Sequence, residues 1–182
     1  MNMKLVILDR DGVINQDSDK YIKSPAEWQP IPGSIEAIAR LHQGGFRIVV
    51  ATNQSGIGRG LFDMATFNAM NDKMMEMVFR QGGRIDALFF CPHTDAENCH
   101  CRKPRTGMYE EIAARMHMDL KGVPCVGDAI RDLLVADAVG GQPILVLTGK
   151  GKKTKELGNL PRKTQVFADL AEVSRHLVSA KE

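Results

Sequence analysis

The sequence predicts an α/β protein built on a doubly wound parallel sheet with helices on both faces, and three observations carry that expectation. Short apolar runs alternate with segments of helical period along the chain. The runs are continuously apolar, as strands covered on both faces must be, and the polar residues able to do chemistry stand directly after them. With 182 residues, 43% hydrophobic and 25% charged, the chain can bury a proper core; no repeat or composition break marks a second domain, so residues 1–182 are expected to form one unit.

Lys4 to Leu8 reads as the first buried strand. Ser34 to Gln43 has helical period and is closed by Gly44-Gly45, and Arg47 to Thr52 is the next strand. Asp63 stands at the N-cap position of a helix reaching about Gln81, stopped by Gly82-Gly83; within it Met70, Met74 and Met77 at helical spacing face a core. Ala87 to Phe90 is a short strand, Gly107 to His117 a helix and Val123 to Val126 a strand containing the core thiol Cys125. Ile130 to Val139 is a helix and Pro143 to Leu147 the last sheet strand; the lysines at 150, 152, 153 and 155 then read as a solvated loop, with long-range attraction of a second phosphate group as the alternative. Asp169 with Glu172 makes a capping-box start for the final helix.

Lys and Arg total 24 against 22 Asp and Glu, a net charge of +2, and aromatics are 5% of the chain, so neither a nucleic-acid stripe nor a membrane-binding field is expected. The longest apolar run near the start, Leu5 to Leu8, is far short of a signal-peptide core or of the roughly 20 residues of a spanning helix. The expectation is a cytoplasmic monomer acting on a small molecule.

In a doubly wound sheet the ligand crevice lies beyond the carboxyl ends of the strands. Strand ends here deliver Asp9-Arg10-Asp11-Gly12, Thr52-Asn53-Gln54-Ser55 and Gly127-Asp128, with Asp132 one helical turn on. A carboxylate such as Asp9 can attack phosphorus and split a hard hydrolysis into two steps. Mg²⁺ would relieve the repulsion between anions, with Asp128 as a second carboxylate ligand. Asp11 would then handle protons, acid toward the leaving alkoxide and base toward water, if its surroundings raise its pKa toward neutral. Thr52 offers a hydroxyl and Asn53 a backbone N–H to phosphoryl oxygens, with Gln54 and Ser55 beside them, and Lys103 is the candidate cation. Asp132 has two open readings, as a partner of Lys103 or of a metal-bound water, and as a first-turn residue favoured by the helix dipole. Cys91-x-His93 and Cys99-x-Cys101 supply three thiolates and an imidazole, a set suited to structural Zn²⁺ in a loop over 91–101; His100 stays outside it. Such a site would fix Lys103, which follows directly.

Asp9-x-Asp11-Gly12-Val13, Thr52-Asn53, Lys103 and Gly127-Asp128-x-x-x-Asp132 together resemble the four ordered motifs of the haloacid dehalogenase superfamily of phosphohydrolases. The longer words Asp9-Arg-Asp-Gly-Val-Ile-Asn15, Thr52-Asn-Gln-Ser-Gly-Ile-Gly58, Cys91-Pro-His93, Cys101-Arg-Lys-Pro104 and Thr148-Gly-Lys150 resemble a narrower family within it, the heptose-1,7-bisphosphate 7-phosphatases and their near relatives. That resemblance implies removal of the C7 phosphate, with Asp9 as nucleophile and Asp11 as acid/base. It implies Mg²⁺ on the Asp9 side chain, the Asp11 backbone carbonyl and Asp128. Thr52 and Lys103 would steady the phosphoryl group and Arg102 would help recognise the substrate. Histidinol-phosphate phosphatase, a zinc-bearing relative with similar catalytic words, is the alternative. No large cap domain is expected, so selection falls to loops at Asp17 to Tyr21, Gly56 to Gly60 and the zinc loop.

Overall fold

A computed structural model describes residues 4–180. Six parallel strands, β1 (Lys4–Leu8), β2 (Phe46–Asn53), β3 (Ala87–Cys91), β4 (Pro124–Gly127), β5 (Gln142–Val146) and β6 (Gln165–Phe167), lie in the order β3-β2-β1-β4-β5-β6. The helices are α1 (Ser34–Gln43), α2 (Ser55–Gly58), α3 (Met64–Arg80), α4 (Gly107–Met116), α5 (Ile130–Ala138), α6 (Gly151–Leu157) and α7 (Leu170–Ser179). The chain winds outward from β1 through β2 to β3, then crosses back to β4 and winds the other way. The order therefore reverses between β1 and β4, and there the crevice of a doubly wound sheet opens.

Alternation along each strand splits the core. Val6 and Leu8 of β1 with Ile48 and Val50 of β2 face α1, α3 and α7, meeting Ile38, Phe67, Met70 and Val173. Leu5 and Ile7 with Val49 and Ala51 face α4 and α5, meeting Tyr109, Ile112, Val135 and Ala136. Burying each such side chain stabilises the fold by roughly 1.5–3 kcal/mol. Asp63 caps α3 as expected, its Oδ1 accepting from Thr66 N at 2.8 Å, and Met70 and Met74 are fully buried. In α7 only half of the anticipated capping box forms. Asp169 accepts from Glu172 N at 2.8 Å, but the Glu172 carboxylate reaches Ala168 N at 2.6 Å, one residue too early.

Two expectations need correction. Residues 151–157 form α6, and β6 follows β5 in the sheet, so the basic run is neither a loop nor the sequel of the last strand. Lys-Lys-Thr-Lys-Glu shows no apolar period because α6 buries little beyond Gly151 and Thr154, and β6 has only three residues, exposed or half-buried. The absence of a large cap agrees with the sequence reading. In its place, residues 9–33 make an excursion between β1 and α1, pinned by bridges from Asn15 to Asp11 and to Pro30.

Candidate active site

Asp9 leaves β1 where β4 runs alongside, its N–H donating to Val126 O at 2.9 Å, so Asp9 and Asp128 emerge from adjacent strands. Gly12, at φ +84°, turns the chain out of the sheet, and a Cβ there would lie 2.0 Å from Asp128 Oδ2. A Cβ on Gly149 would come within 2.2 Å of the same oxygen, so two glycines leave the room that this carboxylate occupies.

Carboxylate oxygens of Asp9, Asp128 and Asp132 lie within 4.8 Å of one another, all buried. Burial, with Asp132 adding repulsion and Lys103 opposing both, raises Asp9 to about 6. Burial, reinforced by Asp132 and Asp9, raises Asp128 to about 8. Asp128 Oδ2 accepts from Lys150 N at 2.7 Å, whereas its buried Oδ1 has no partner among the described residues. Such an orphaned, hard oxygen facing a second carboxylate suits a small oxygen-loving cation.

Lys103 is fully buried. Its Nζ lies 2.7 Å from Asp132 and 3.1 Å from Asp9, and donates to Ala51 O at 2.7 Å. Both readings of Asp132 meet in one side chain, because its Oδ2 also accepts from Ala129 N at 3.1 Å at the start of α5. Burial works against the Asp132 charge, but Lys103 and Arg131 hold its carboxyl below the ordinary range. Asn53 has a part that sequence reasoning missed: its side chain donates to Lys103 O and accepts from Lys103 N, each at 3.1 Å, and so fixes the lysine backbone from β2.

Asp11 departs from expectation. Burial raises its pKa, but Arg10 and hydrogen bonds from Asn15 and Gln54 outweigh this and hold the carboxyl below the usual carboxylate range. Asn15 Nδ2 donates to Oδ1 at 2.8 Å and Gln54 Nε2 to Oδ2 at 2.8 Å; Gln54 also donates to Thr52 Oγ1 at 2.9 Å. Arg10, fully buried, contacts Asp11 at 3.2 Å and is anchored through Nη1 on Asn71 of α3 at 3.0 Å. The x in the Asp-x-Asp word thus carries the charge that sets the state of the second Asp, which spacing alone does not reveal.

The cavity above these groups, about 180 Å³, brings together Asp9, Asp11, Thr52, Asn53, Gln54 and Ser55. Its walls add Arg102 and part of the Asp17 to Ile22 segment, with Arg131 and Lys150, which were not singled out as site residues. Of the loops expected to select substrate, 56–60 lies outside this lining. Lys150 belongs to the basic run but reaches back to Asp17 at 3.3 Å and Asp19 at 3.5 Å.

Cys91, His93, Cys99 and Cys101 converge as anticipated. Sγ of Cys101 lies 3.1 Å from that of Cys91 and 3.7 Å from that of Cys99, and 3.3 Å from His93 Nδ1; Cys91 lies 3.5 Å from Cys99 and from His93. None is in a disulfide. Ligands about 2.3 Å from a tetrahedral centre stand roughly 3.7 Å apart, so the donors fit Zn²⁺. His100 pairs instead with Glu110 at 3.0 Å. Arg102 ties the loop to the cavity, donating to Asp95 at 2.5 Å and to His93 O at 3.3 Å.

A HAD-hydrolase-like family model matches residues 100–173. The D-glycero-β-D-manno-heptose-1,7-bisphosphate 7-phosphatase of Bordetella bronchiseptica is 56% identical over 97% of this chain and 98% of its own length. The enzyme of that name from Neisseria meningitidis is 53% identical over 97% and 95%. The crystal structure of the B. bronchiseptica D,D-heptose 1,7-bisphosphate phosphatase, complexed with magnesium and phosphate, superposes with a TM-score of 0.97 at 55% identity, covering 98% of this chain and 99% of that one. Its counterpart from Burkholderia thailandensis gives 0.78 at 52% identity, over 97% and 99%. With the two aspartates of β1 and the aspartate of β4 meeting at the switch point of this sheet, the chain belongs to the D-glycero-β-D-manno-heptose-1,7-bisphosphate 7-phosphatase family of HAD-like hydrolases.

Proposed function

We propose that the chain is a Mg²⁺-dependent phosphatase that removes the C7 phosphate of D-glycero-D-manno-heptose 1,7-bisphosphate. The observation that carries this reading is the buried Asp9, facing the cavity with Asp128 opposite and Lys103 3.1 Å away. The Asp9 and Asp128 side chains and the Asp11 backbone carbonyl would hold Mg²⁺. The ion would offset the repulsion among the carboxylates and polarise a phosphoryl oxygen.

Asp9 attacks phosphorus, the bond from phosphorus to the C7 oxygen breaks, and an aspartyl-phosphate forms. Asp11 gives the leaving alkoxide its proton. It then takes one from the water that attacks the aspartyl-phosphate, which regenerates Asp9 and frees inorganic phosphate. Asn15 and Gln54 orient Asp11 for both transfers. An anionic phosphate beside Asp11 raises its proton affinity in the complex, opposing the pull of Arg10. Thr52, on the cavity wall, faces the charge that develops on the phosphoryl oxygens, Lys103, buried beside Asp9, offsets it, and Arg102 contacts the rest of the substrate.

Zn²⁺ held by Cys91, His93, Cys99 and Cys101 has no open position and acts structurally, stiffening the loop that ends at Arg102 and Lys103. The same reading takes residues 1–182 as one domain, a cytoplasmic monomer that needs no nucleic acid. Among the described residues no helix is long and apolar enough to cross a membrane.

The test is phosphate release with Mg²⁺ from the heptose bisphosphate, beside histidinol phosphate, with Asp9→Asn as the blank. Release from the heptose substrate, together with a phosphorylated Asp9 peptide in acid-quenched mass spectrometry, is expected. Faster turnover of histidinol phosphate would replace the substrate, and a fully active Asp9→Asn variant would remove the mechanism.

A further inference from the structure

The cations around the cavity are paired, with one exception. Lys103 lies between Asp9 and Asp132, Arg102 on Asp95, Lys150 on Asp17 and Asp19, and Arg10 on Asp11. Arg131, in the first turn of α5, lines the same cavity and is half-buried. Among the described residues its side chain takes part in no ion pair or hydrogen bond, and its buried Nε has no acceptor. Asp132, Asp9, Asp128 and Asp17 are near enough to favour its charge without engaging it. A desolvated guanidinium with its fork unfilled is costly unless an anion completes it.

Thr52 and Lys103 already serve the phosphoryl group that reacts with Asp9, and the cavity extends beyond them. We propose that Arg131 binds the second, non-reacting phosphate of a bisphosphate substrate and so sets the preference for bisphosphates over monophosphates. This rests on the phosphatase reading above. A planar fork meets two oxygens of a phosphate at once, which a lysine does not do. A substrate lacking the second phosphate leaves the fork empty and gains nothing from it. An Arg131 that only offset the carboxylates of Asp9, Asp128 and Asp132 would serve both kinds of substrate equally.

The experiment compares kcat/KM for heptose 1,7-bisphosphate with that for heptose 7-phosphate in the wild-type protein, R131Q and R131K, each checked for folding by circular dichroism and melting. In the wild type the ratio favours the bisphosphate. R131Q is expected to lower that ratio about 30-fold, chiefly through KM, as loss of a charge-assisted contact does, and R131K to recover part of it. A ratio unchanged in R131Q, or a wild-type protein without preference for the bisphosphate, overturns the proposal while leaving the phosphatase reading intact. Should R131Q not fold, a ratio in R131K equal to that of the wild type overturns it as well. Wild-type protein inactive on both substrates overturns the phosphatase reading, and the role of Arg131 with it.

Discussion

Replacing Lys103 with Met tests whether one buried ammonium is the counter-charge on which the carboxylates of the site depend. Methionine keeps most of the volume, so the main loss is of charge. Three interactions go with it: Asp132 at 2.7 Å, Asp9 at 3.1 Å and the Ala51 carbonyl at 2.7 Å. Removing one partner of a buried pair costs about 3–5 kcal/mol. The orphaned carboxylates can escape by taking up protons. Neutralising one carboxyl of ordinary pKa 3.8 takes about 1.6 kcal/mol at pH 5 and about 6 kcal/mol at pH 8. At pH 5 protonation of Asp9 and Asp132 therefore caps the electrostatic cost near ~3 kcal/mol, whereas at pH 8 that escape exceeds the penalty and the whole penalty is felt. In the wild type the folded pKa of Asp132 is lowered, so its pair with Lys103 is intact at both pH values. Wild-type stability also changes over this range, because Asp9 and Asp128 are raised to about 6 and about 8, so the quantity to compare is the loss caused by the substitution at each pH. Urea denaturation of the metal-free proteins, with equal m-values as the check on two-state behaviour, should show Lys103→Met losing about 3–5 kcal/mol at pH 8 and no more than ~3 kcal/mol at pH 5. Turnover should fall about 10²–10³-fold. A loss below ~1 kcal/mol at pH 8, or a larger loss at pH 5 than at pH 8, would refute the argument that Lys103 neutralises these carboxylates.

Three other outcomes follow from the same geometry. Gly12→Ala puts a methyl group 2.0 Å from Asp128 Oδ2 at a positive φ, so it should destabilise the fold by ~2 kcal/mol or more and weaken Mg²⁺ binding in calorimetry; a variant matching the wild type in both would contradict the packing. Burial raises Asp9 to about 6 and Asp128 to about 8, so as anions above those values they destabilise the metal-free fold, which recovers stability as pH falls through 8 and 6. Mg²⁺ should accordingly raise the melting temperature more at pH 8 than at pH 6, and a larger shift at pH 6 would reverse the assignment. Cys101→Ser should release bound zinc, measured by atomic absorption, and lower turnover without touching Asp9; full zinc retention would show that the four donors do not form one site.

The sheet and the clustering of its strand-end carboxylates were legible because both follow from short-range rules. A continuous apolar run followed by a polar residue marks a strand end, and in a doubly wound sheet all such ends share one edge. The convergence of Cys91, His93, Cys99 and Cys101 was legible from residue type and spacing. What failed involved the partner of each group. Asp11 looked like a carboxyl to be tuned upward until Arg10, Asn15 and Gln54 were seen around it, and Gln54 comes from a different strand end. Asn53 looked like a backbone donor until its side chain was found on Lys103, fifty positions away in sequence. β6 was missed because three residues carry no period, and α6 because its few buried positions are Gly151 and Thr154.

The buried charges explain why such a site needs its cation. Above about pH 8, where Asp128 too is ionised, Asp9, Asp11, Asp128 and Asp132 set four negative charges against the three positive charges of Lys103, Arg10 and Arg131. Without a metal the pocket is then negative on balance, and a phosphate dianion would be repelled from Asp9, the proposed nucleophile. A divalent ion on Asp9 and Asp128, as proposed, would reverse the sign, and a phosphate would then restore nearly the balance that the protein has alone. On that proposal the fixed local charges, held in place by Arg10 on Asn71 and by Lys103 on Ala51 and Asn53, would make phosphate binding conditional on the metal. Proton uptake by Asp128 competes for the same oxygens, so phosphate affinity, metal affinity and pH are coupled through this one aspartate, which Gly12 and Gly149 leave room for and Lys150 N holds.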